Sequence, residues 1–325
     1  MLHAAIGTLL LAGGIAWTGQ VHAADYTLSV NTALNTSDPL YKGLESFQTA
    51  VAERSKGAME VKLFPNSQLG PDEDVLEQAR AGAPVAVIVD GGRIAVFQKE
   101  FGVLGAPYVA SGFEGIRKVV TSPLFEEWVG KLSQSSGLQV LSFNWWQGER
   151  ELWTQKPISG PADLAGIRMR TPGAPVWIET VKAMGATPTP MPYAEVYSAL
   201  QQNVIDAVEA QLPAGYNSKL QEVTKFVTMT GHINLITGMV TSSIWYDGLP
   251  PELQTMLREE ALKAGDMASK GTADSLATLE SNLKAAGVTV TEIDTKPFRD
   301  ATASVYETLG YAELREQLNQ IAGSN

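Results

Sequence analysis

An α/β fold in two lobes is the class this sequence predicts, on three observations. Strand-like and helix-like stretches alternate from the start of the chain, and the same alternation begins again near Ile158. One helical segment of unusual length follows both runs. The 325 residues suffice for two domains of ordinary size.

The elements follow in order. Tyr26 to Val30 reads as a short strand. Ser37 and Asp38 can cap a helix opening at Pro39, where proline is tolerated. Leu40, Leu44, Phe47 and Val51 recur at helical spacing until Gly57 ends the element. Met59, Val61 and Leu63 alternate as a strand does, and Pro71 opens a helix through Val75, Leu76 and Ala79. Val85 to Val89 is continuously apolar, as in a mainly parallel sheet covered on both faces. One helical pattern is predicted from about Gly115 to Ser133, then a strand from Leu138 to Phe143. The second unit comprises a strand from Ile167 to Met169, a helix near Val176 to Met184 and a segment from Tyr193 to Gln202. Pro250 to Gly287 is too long for a crossover and is expected to brace both lobes.

Composition narrows the function. The chain is 44% hydrophobic and 18% charged, the balance of a soluble globular protein. A net charge of -11 argues against nucleic acid and against an anionic membrane surface, although a few local arginines can still hold an anion. Cysteine is absent, which excludes disulfides and thiol chemistry. Histidines occur only at His3, His22 and His232, which leaves little for metal or acid–base work. Ile6 to Trp17 has the length of a signal-peptide apolar core, and Val21-His22-Ala23 precedes a plausible cleavage point. Residues 1–23 are therefore expected to be a signal peptide cleaved near Ala23, although Met1 to Ile6 carries no basic residue. The alternative is a membrane anchor, for which the run falls short of the roughly 20 residues a span needs.

Three stretches carry more. They are Phe64-Pro65-Asn66-Ser67-Gln68-Leu69-Gly70, Gly166-Ile167-Arg168-Met169-Arg170-Thr171-Pro172, and Gly185-Ala186-Thr187-Pro188-Thr189-Pro190 running on to Glu195-Val196-Tyr197, Asn203 and Asp206 to Glu209. With Gly148-Glu149-Arg150 twenty residues before Arg170, this order resembles the substrate-binding proteins of tripartite ATP-independent periplasmic (TRAP) transporters, of the dicarboxylate-binding type. The resemblance covers nearly the whole chain after the leader. It implies a periplasmic two-lobed binding-protein clamshell, with the long helix bracing both lobes. Lobe I would comprise 24–146 and 236–275, lobe II 147–235 and 276–303, with a C-terminal helical segment at 304–325. It further implies capture of a small organic acid, delivery to a membrane permease, and no cofactor, metal or catalytic residue.

The family's signature arginine is matched by Arg170. A guanidinium fits a carboxylate bidentately and keeps its charge when desolvated. At a strand's exit into a loop, it stands where open α/β sheets bind ligands. Arg150 matches a second arginine, either at the ligand or paired with Glu149 or Glu151. Asp90 and Arg93 match cleft-facing residues of the first lobe, and can equally be an internal ion pair. Tyr193 corresponds to an aromatic that packs on the ligand, or anchors the helix after it. Of Trp145 and Trp146, one can face the cleft while its neighbour faces away. Asn31 or Asn35 would supply a polar contact. Many relatives place an asparagine after the Asp206–Glu209 segment, where this chain has Ala210 and then Gln211, so either Gln211 supplies the amide or that contact is absent. His232 can reach the ligand or sit in the core. The competing class is a secreted carboxylate-processing hydrolase or lyase. No Gly-x-Ser-x-Gly elbow or metal cluster supports it, and only Asp90 with Glu209 offers an acid–base pair. A third reading is a periplasmic sensor component presenting its ligand to a separate receptor.

Overall fold

The computed structural model describes residues 24–110 and 112–323; the leader, including His3 and His22, lies outside the described residues. Nine strands form one sheet: β1 (Tyr26–Asn31), β2 (Met59–Phe64), β3 (Val85–Asp90), β4 (Leu138–Thr154), β5 (Arg168–Thr171), β6 (Thr187–Pro190), β7 (Ala207–Gln211), β8 (Phe226–Ser242) and β9 (Thr289–Glu292). Their order is β2-β1-β3-β8-β4-β7-β5-β6, with β9 also pairing β8. The flanks are parallel, as expected. The centre is not, because β8 runs antiparallel to both β3 and β4, and β4 antiparallel to β7.

This antiparallel pair makes the molecule two-lobed. The strand expected from Leu138 to Phe143 continues to Thr154, and β8, which the sequence pattern did not suggest, is equally long at 17 residues. Both run from one lobe into the other. At one end, Leu28, Leu44, Phe47, Met239 and Leu257 cover one face of the sheet while Phe101, Phe125, Trp128 and Phe143 cover the opposite face. At the other end, Trp153, Leu200, Val208 and Leu283 form one core and Leu152, Met169, Val181 and Phe298 another. The β4–β8 register slips between Ser142 and Trp145, Trp146 and Gly148, and Arg150 and Leu152. Such irregularities bend a ladder locally.

The bracing helix spans Pro251–Ala285, 35 residues and so about 52 Å long at 1.5 Å per residue. Leu253, Leu257, Ala261 and Ala268 pack on lobe I, and Leu279 and Leu283 on lobe II. The helical stretch expected from Gly115 to Ser133 is two helices, Gly112–Val120 and Pro123–Ser136. The Ser122 hydroxyl accepts from Phe125 N at 3.3 Å, and Pro123 occupies the first turn. A cap and a proline thus restart the helix despite the unbroken apolar period. The final helix, Ala312–Ala322, returns to lobe I, where Leu318 and Ala322 join the core of Ile116 and Val119. No helix among the described residues is long and apolar enough to cross a membrane.

Candidate functional site

Between the lobes lies a small, mostly polar cavity. Lobe I contributes Thr32, Asp72, Asp90 and Arg93, and lobe II contributes Arg150, Arg170, Tyr193 and Gln211, with Gln147 and Thr237 from the central strands.

Arg170 is brought there by β5, whose Met169 side chain enters the core of lobe II and so turns its neighbour to the other face. It is 1% exposed. Its Nε and Nη2 both donate to the Met191 carbonyl, at 3.0 and 2.8 Å, and Tyr193 stacks beneath it at 5.4 Å. No carboxylate of the described residues forms an ion pair with it. Burial lowers its proton affinity from the ordinary guanidinium range to about 10, so it stays charged at neutral pH. A buried cation holding only a carbonyl and an aromatic face has donors left over, and the opening beside them is the cavity.

Arg150 is buried as well, but its charge is matched. Its Nε donates to Glu209 Oε2, its Nη2 to the Glu209 carbonyl and its Nη1 to Gln211 Oε1 at 3.3 Å, while Trp177 stacks at 4.8 Å. The partner is therefore Glu209, not Glu149 or Glu151. Glu209 also accepts from the Thr171 hydroxyl at 3.0 Å. Burial pushes its carboxyl up, but the Arg150 guanidinium and the His232 ring outweigh that and hold it below the usual range. Glu209 itself stays behind Arg150. His232 is fully buried, bonded through Nδ1 to Thr230 at 2.7 Å, with its Nε2 3.8 Å from Glu209 and the ring off the cavity wall. It is a core histidine.

Asp90 and Arg93 both line the cavity and also form the internal ion pair that was the other possibility. Asp90 accepts from Arg93 N at 3.0 Å and from Trp177 Nε1 at 3.0 Å. Burial pushes the Asp90 carboxyl up, yet Arg93 and the Trp177 indole hold it low. Asp90 and Glu209 are thus both stabilised as anions by separate arginines, which is not how a general acid is prepared. Among the described residues, no three histidine, cysteine or acidic side chains gather to hold a metal.

Several expected contacts lie elsewhere. Neither tryptophan of the adjacent pair faces the cleft: Trp145 enters one core and donates to Ser142 at 2.8 Å, and Trp146 enters the other and donates to Asn234 at 2.6 Å. They do point to opposite faces, but helices cover both faces there. Asn31 is fully buried and pins the loop of the first motif, donating to Gly70 O at 3.3 Å and accepting from Leu69 N at 3.1 Å. Asn35 lies outside the cavity and donates to Asn217 O at 2.8 Å, across the lobes. Gln211 does line the cavity and donates to Gln147 at 2.6 Å.

Asp72, Gln147 and Trp177 went unrecognised in the sequence. Trp177 crosses from the lobe II helix Pro175–Ala183 into lobe I, and only glycine at 92 admits it, since a Cβ there would lie 2.3 Å from the indole nitrogen. The Gly91-Gly92 pair was the available signal. The motif's Arg168 serves the architecture, binding Asp206 at 2.8 Å and Asn203 O at 2.8 Å and so tying the start of β5 to β7.

Two lobes enclosing a polar cavity with an uncompensated guanidinium define a binding protein for a small anion. The family described as bacterial extracellular solute-binding protein, family 7, matches residues 30–313. The chain is 31% identical, over 90% of its length and 89% of the other, to the 2,3-diketo-L-gulonate-binding periplasmic protein of Escherichia coli. A TRAP periplasmic solute-binding protein of Escherichia fergusonii, solved in an open form without ligand, is 47% identical with a TM-score of 0.80, covering 91% of this chain and 99% of that one. The TRAP solute-binding protein of Ochrobacterium anthropi, solved with bound L-fuconate, is 31% identical with a TM-score of 0.88, covering 92% of this chain and 100% of that one. The chain belongs to the family 7 extracellular solute-binding proteins, the substrate-binding components of TRAP transporters. It is accordingly a transport protein that binds its solute, not a hydrolase or lyase.

Proposed function

We propose that the protein captures a small organic carboxylate in the cavity, anchored by Arg170, and carries it in the periplasm to a TRAP permease in the membrane. The observation carrying this reading is the buried Arg170, whose spare donors face the cavity while Glu209 is committed to Arg150 and Thr171. A bidentate carboxylate satisfies such a group in charge and in shape. Gln211 and Gln147 stand beside it as amides able to take part. The relatives named for 2,3-diketo-L-gulonate and solved with L-fuconate carry ligands of this kind.

Closure is part of the proposal. The described conformation matches the ligand-bound relative better than the open one, 0.88 against 0.80, although the open one is nearer in sequence. The lobes would divide near Trp146 and Leu235, where the β4–β8 register is broken. Residues 1–23 would be removed on export. The test is calorimetry on EDTA-treated protein beginning at Ala24, against a panel of small organic acids and uncharged sugars. Binding of a carboxylate without metal is expected. A strict metal requirement, or binding of neutral sugars alone, would overturn the reading.

A further inference from the structure

Asn35, Asp38 and Asn217 join the two lobes, and none of the three lines the cavity. Lobe I holds its two groups firmly. The Asp38 carboxylate caps the helix Pro39–Arg54, accepting from Leu40 N at 3.0 Å, and that helix sends Leu40, Leu44 and Phe47 into the lobe I core. The Asn35 side-chain oxygen accepts from Ser37 N at 3.0 Å, which leaves its amide nitrogen free to reach across. Lobe II offers the end of the helix Leu212–Asn217. Leu212 enters the lobe II core, and a Cβ at Gly215 would come within 2.2 Å of the Trp153 indole, so the helix moves with lobe II. The Asn217 carbonyl, at the helix end where no partner exists within the helix, accepts from Asn35 Nδ2 at 2.8 Å. The Asn217 amide donates to Asp38 Oδ2 at 3.4 Å, a longer and weaker bond. Burial pushes the Asp38 carboxyl up to about 6 against the pull of Leu40 N and the Asn217 amide, so above neutrality it is an anion with few donors. Beside these bonds, Ala214 of the same helix rests against the lobe I core.

We infer that Asn35, Asp38 and Asn217 form a closure latch, two hydrogen bonds made only when the lobes meet, which stabilises the closed state without touching the solute. The inference rests on the closing of the lobes proposed above. Tyr193 stands between the latch and Arg170, since it lines the cavity and also, with Asn35 and Ser218, the hollow on its other side. Bonds outside the cavity do not distinguish one solute from another. They multiply every affinity by one factor, the amount by which they shift the open–closed equilibrium. They also act at one stage only. A solute enters open lobes, where the bonds are absent, and leaves after they break, so the latch slows release and leaves capture unchanged. Each bond is worth little, because water satisfies the same groups when the lobes part. A weak latch suits a carrier that must let go.

The experiment is calorimetry and stopped-flow binding at pH 8 with galactonate, gluconate, malate and succinate, on wild type, Asn35→Ser and Asn217→Ala. Serine at 35 keeps an oxygen for the Ser37 amide but is too short to span the lobes. Neither substitution alters the charge. Asn35→Ser should weaken each acid that binds about three- to tenfold, and Asn217→Ala about two- to fivefold. Within a variant the factor should agree between acids to about twofold, and it should appear in the dissociation rate. Calorimetric stoichiometry counts the folded protein, so poor folding would not pass for weak binding. Unaltered affinity in both variants, factors that differ between acids beyond that range, or a loss confined to the association rate would overturn the latch and leave the Arg170 reading intact. Failure of the wild type to bind any of the four acids would overturn both. Binding that survives Arg170→Ala would overturn that reading alone, since the same ratios still decide the latch.

Discussion

Arg150 and Arg170 belong to the same wall of one cavity, and both are almost completely buried. They differ in what they hold. Arg150 is locked to Glu209 within the lobe, whereas Arg170 faces its cavity with a carbonyl and a tyrosine ring for company. A buried ion pair belongs to the folded protein, since breaking it strands a charge. A buried cation without its anion carries a cost that binding can relieve. On the proposed reading, the same residue type serves architecture at one position and recognition at the other, and its partner decides which.

That contrast can be broken directly. Arg150→Ala should destabilise the ligand-free protein by about 3–5 kcal/mol, because Glu209 is left uncompensated in the interior; chemical denaturation measures it. Arg170→Ala should leave the ligand-free protein at least as stable as wild type, while costing about 2–5 kcal/mol in binding, roughly 30- to several-thousand-fold in affinity. Arg170→Lys should also bind more weakly, since an ammonium lacks the fork. Unfolding midpoints of Arg150→Ala and Arg170→Ala that fall together would abolish the distinction. Next in size is the interlobe bond from Trp177 to Asp90. Trp177→Phe removes a donor to a buried carboxylate, worth about 1.5–3 kcal/mol. It should lower ligand affinity if that bond forms only on closing. Small-angle scattering should show a smaller radius of gyration with saturating ligand for wild type, and a smaller contraction for this variant. An unchanged wild-type profile with ligand bound would indicate a preformed pocket.

The smallest effect concerns pH. Glu151, on the face of β4 away from Arg150, is pushed up to about 8 by burial, although it accepts from Gly231 N at 2.8 Å. Its folded value exceeds its unfolded one, so between them the native state binds the additional proton and stability falls as pH rises. Asp38 and Asp72, at about 6, contribute over the acid part of this window only. His232, whose value burial lowers, acts in the opposite sense up to the ordinary histidine range. Above neutrality Glu151 should dominate, and Glu151→Gln should flatten the decline in denaturation midpoint between about pH 6.5 and 8.

What the sequence disclosed follows the same physics. The position of Arg170 on the cavity wall was legible from its motif and its place at a strand's exit before Pro172, and in the fold Met169 enters the core while Arg168 binds Asp206. The flanking α/β units were legible because each is local, with its period and caps contained in about thirty residues. β8 was not, since its threonines and glycines blur alternation and its partners lie a hundred residues away. Gln147 and Arg150 share the cavity although an odd number of steps separates them, which a regular strand forbids. Gly148, at φ +96° in the left-handed region, and the register slip beside it bring them together. Asp72 resembled an ordinary first-turn acid, and only burial and the lack of a donor set it apart.

The path of the backbone has a mechanical consequence. The chain passes between the lobes four times, through β4, β8, the Pro251–Ala285 helix and the segment leading to Ala312–Ala322. A joint made of one strand swivels freely, but four connections side by side in the chain's path would resist torsion more than one. The lobes would then travel on a fixed arc, like the covers of a bound book. A protease cut in any one strut would leave the other three holding the halves in alignment.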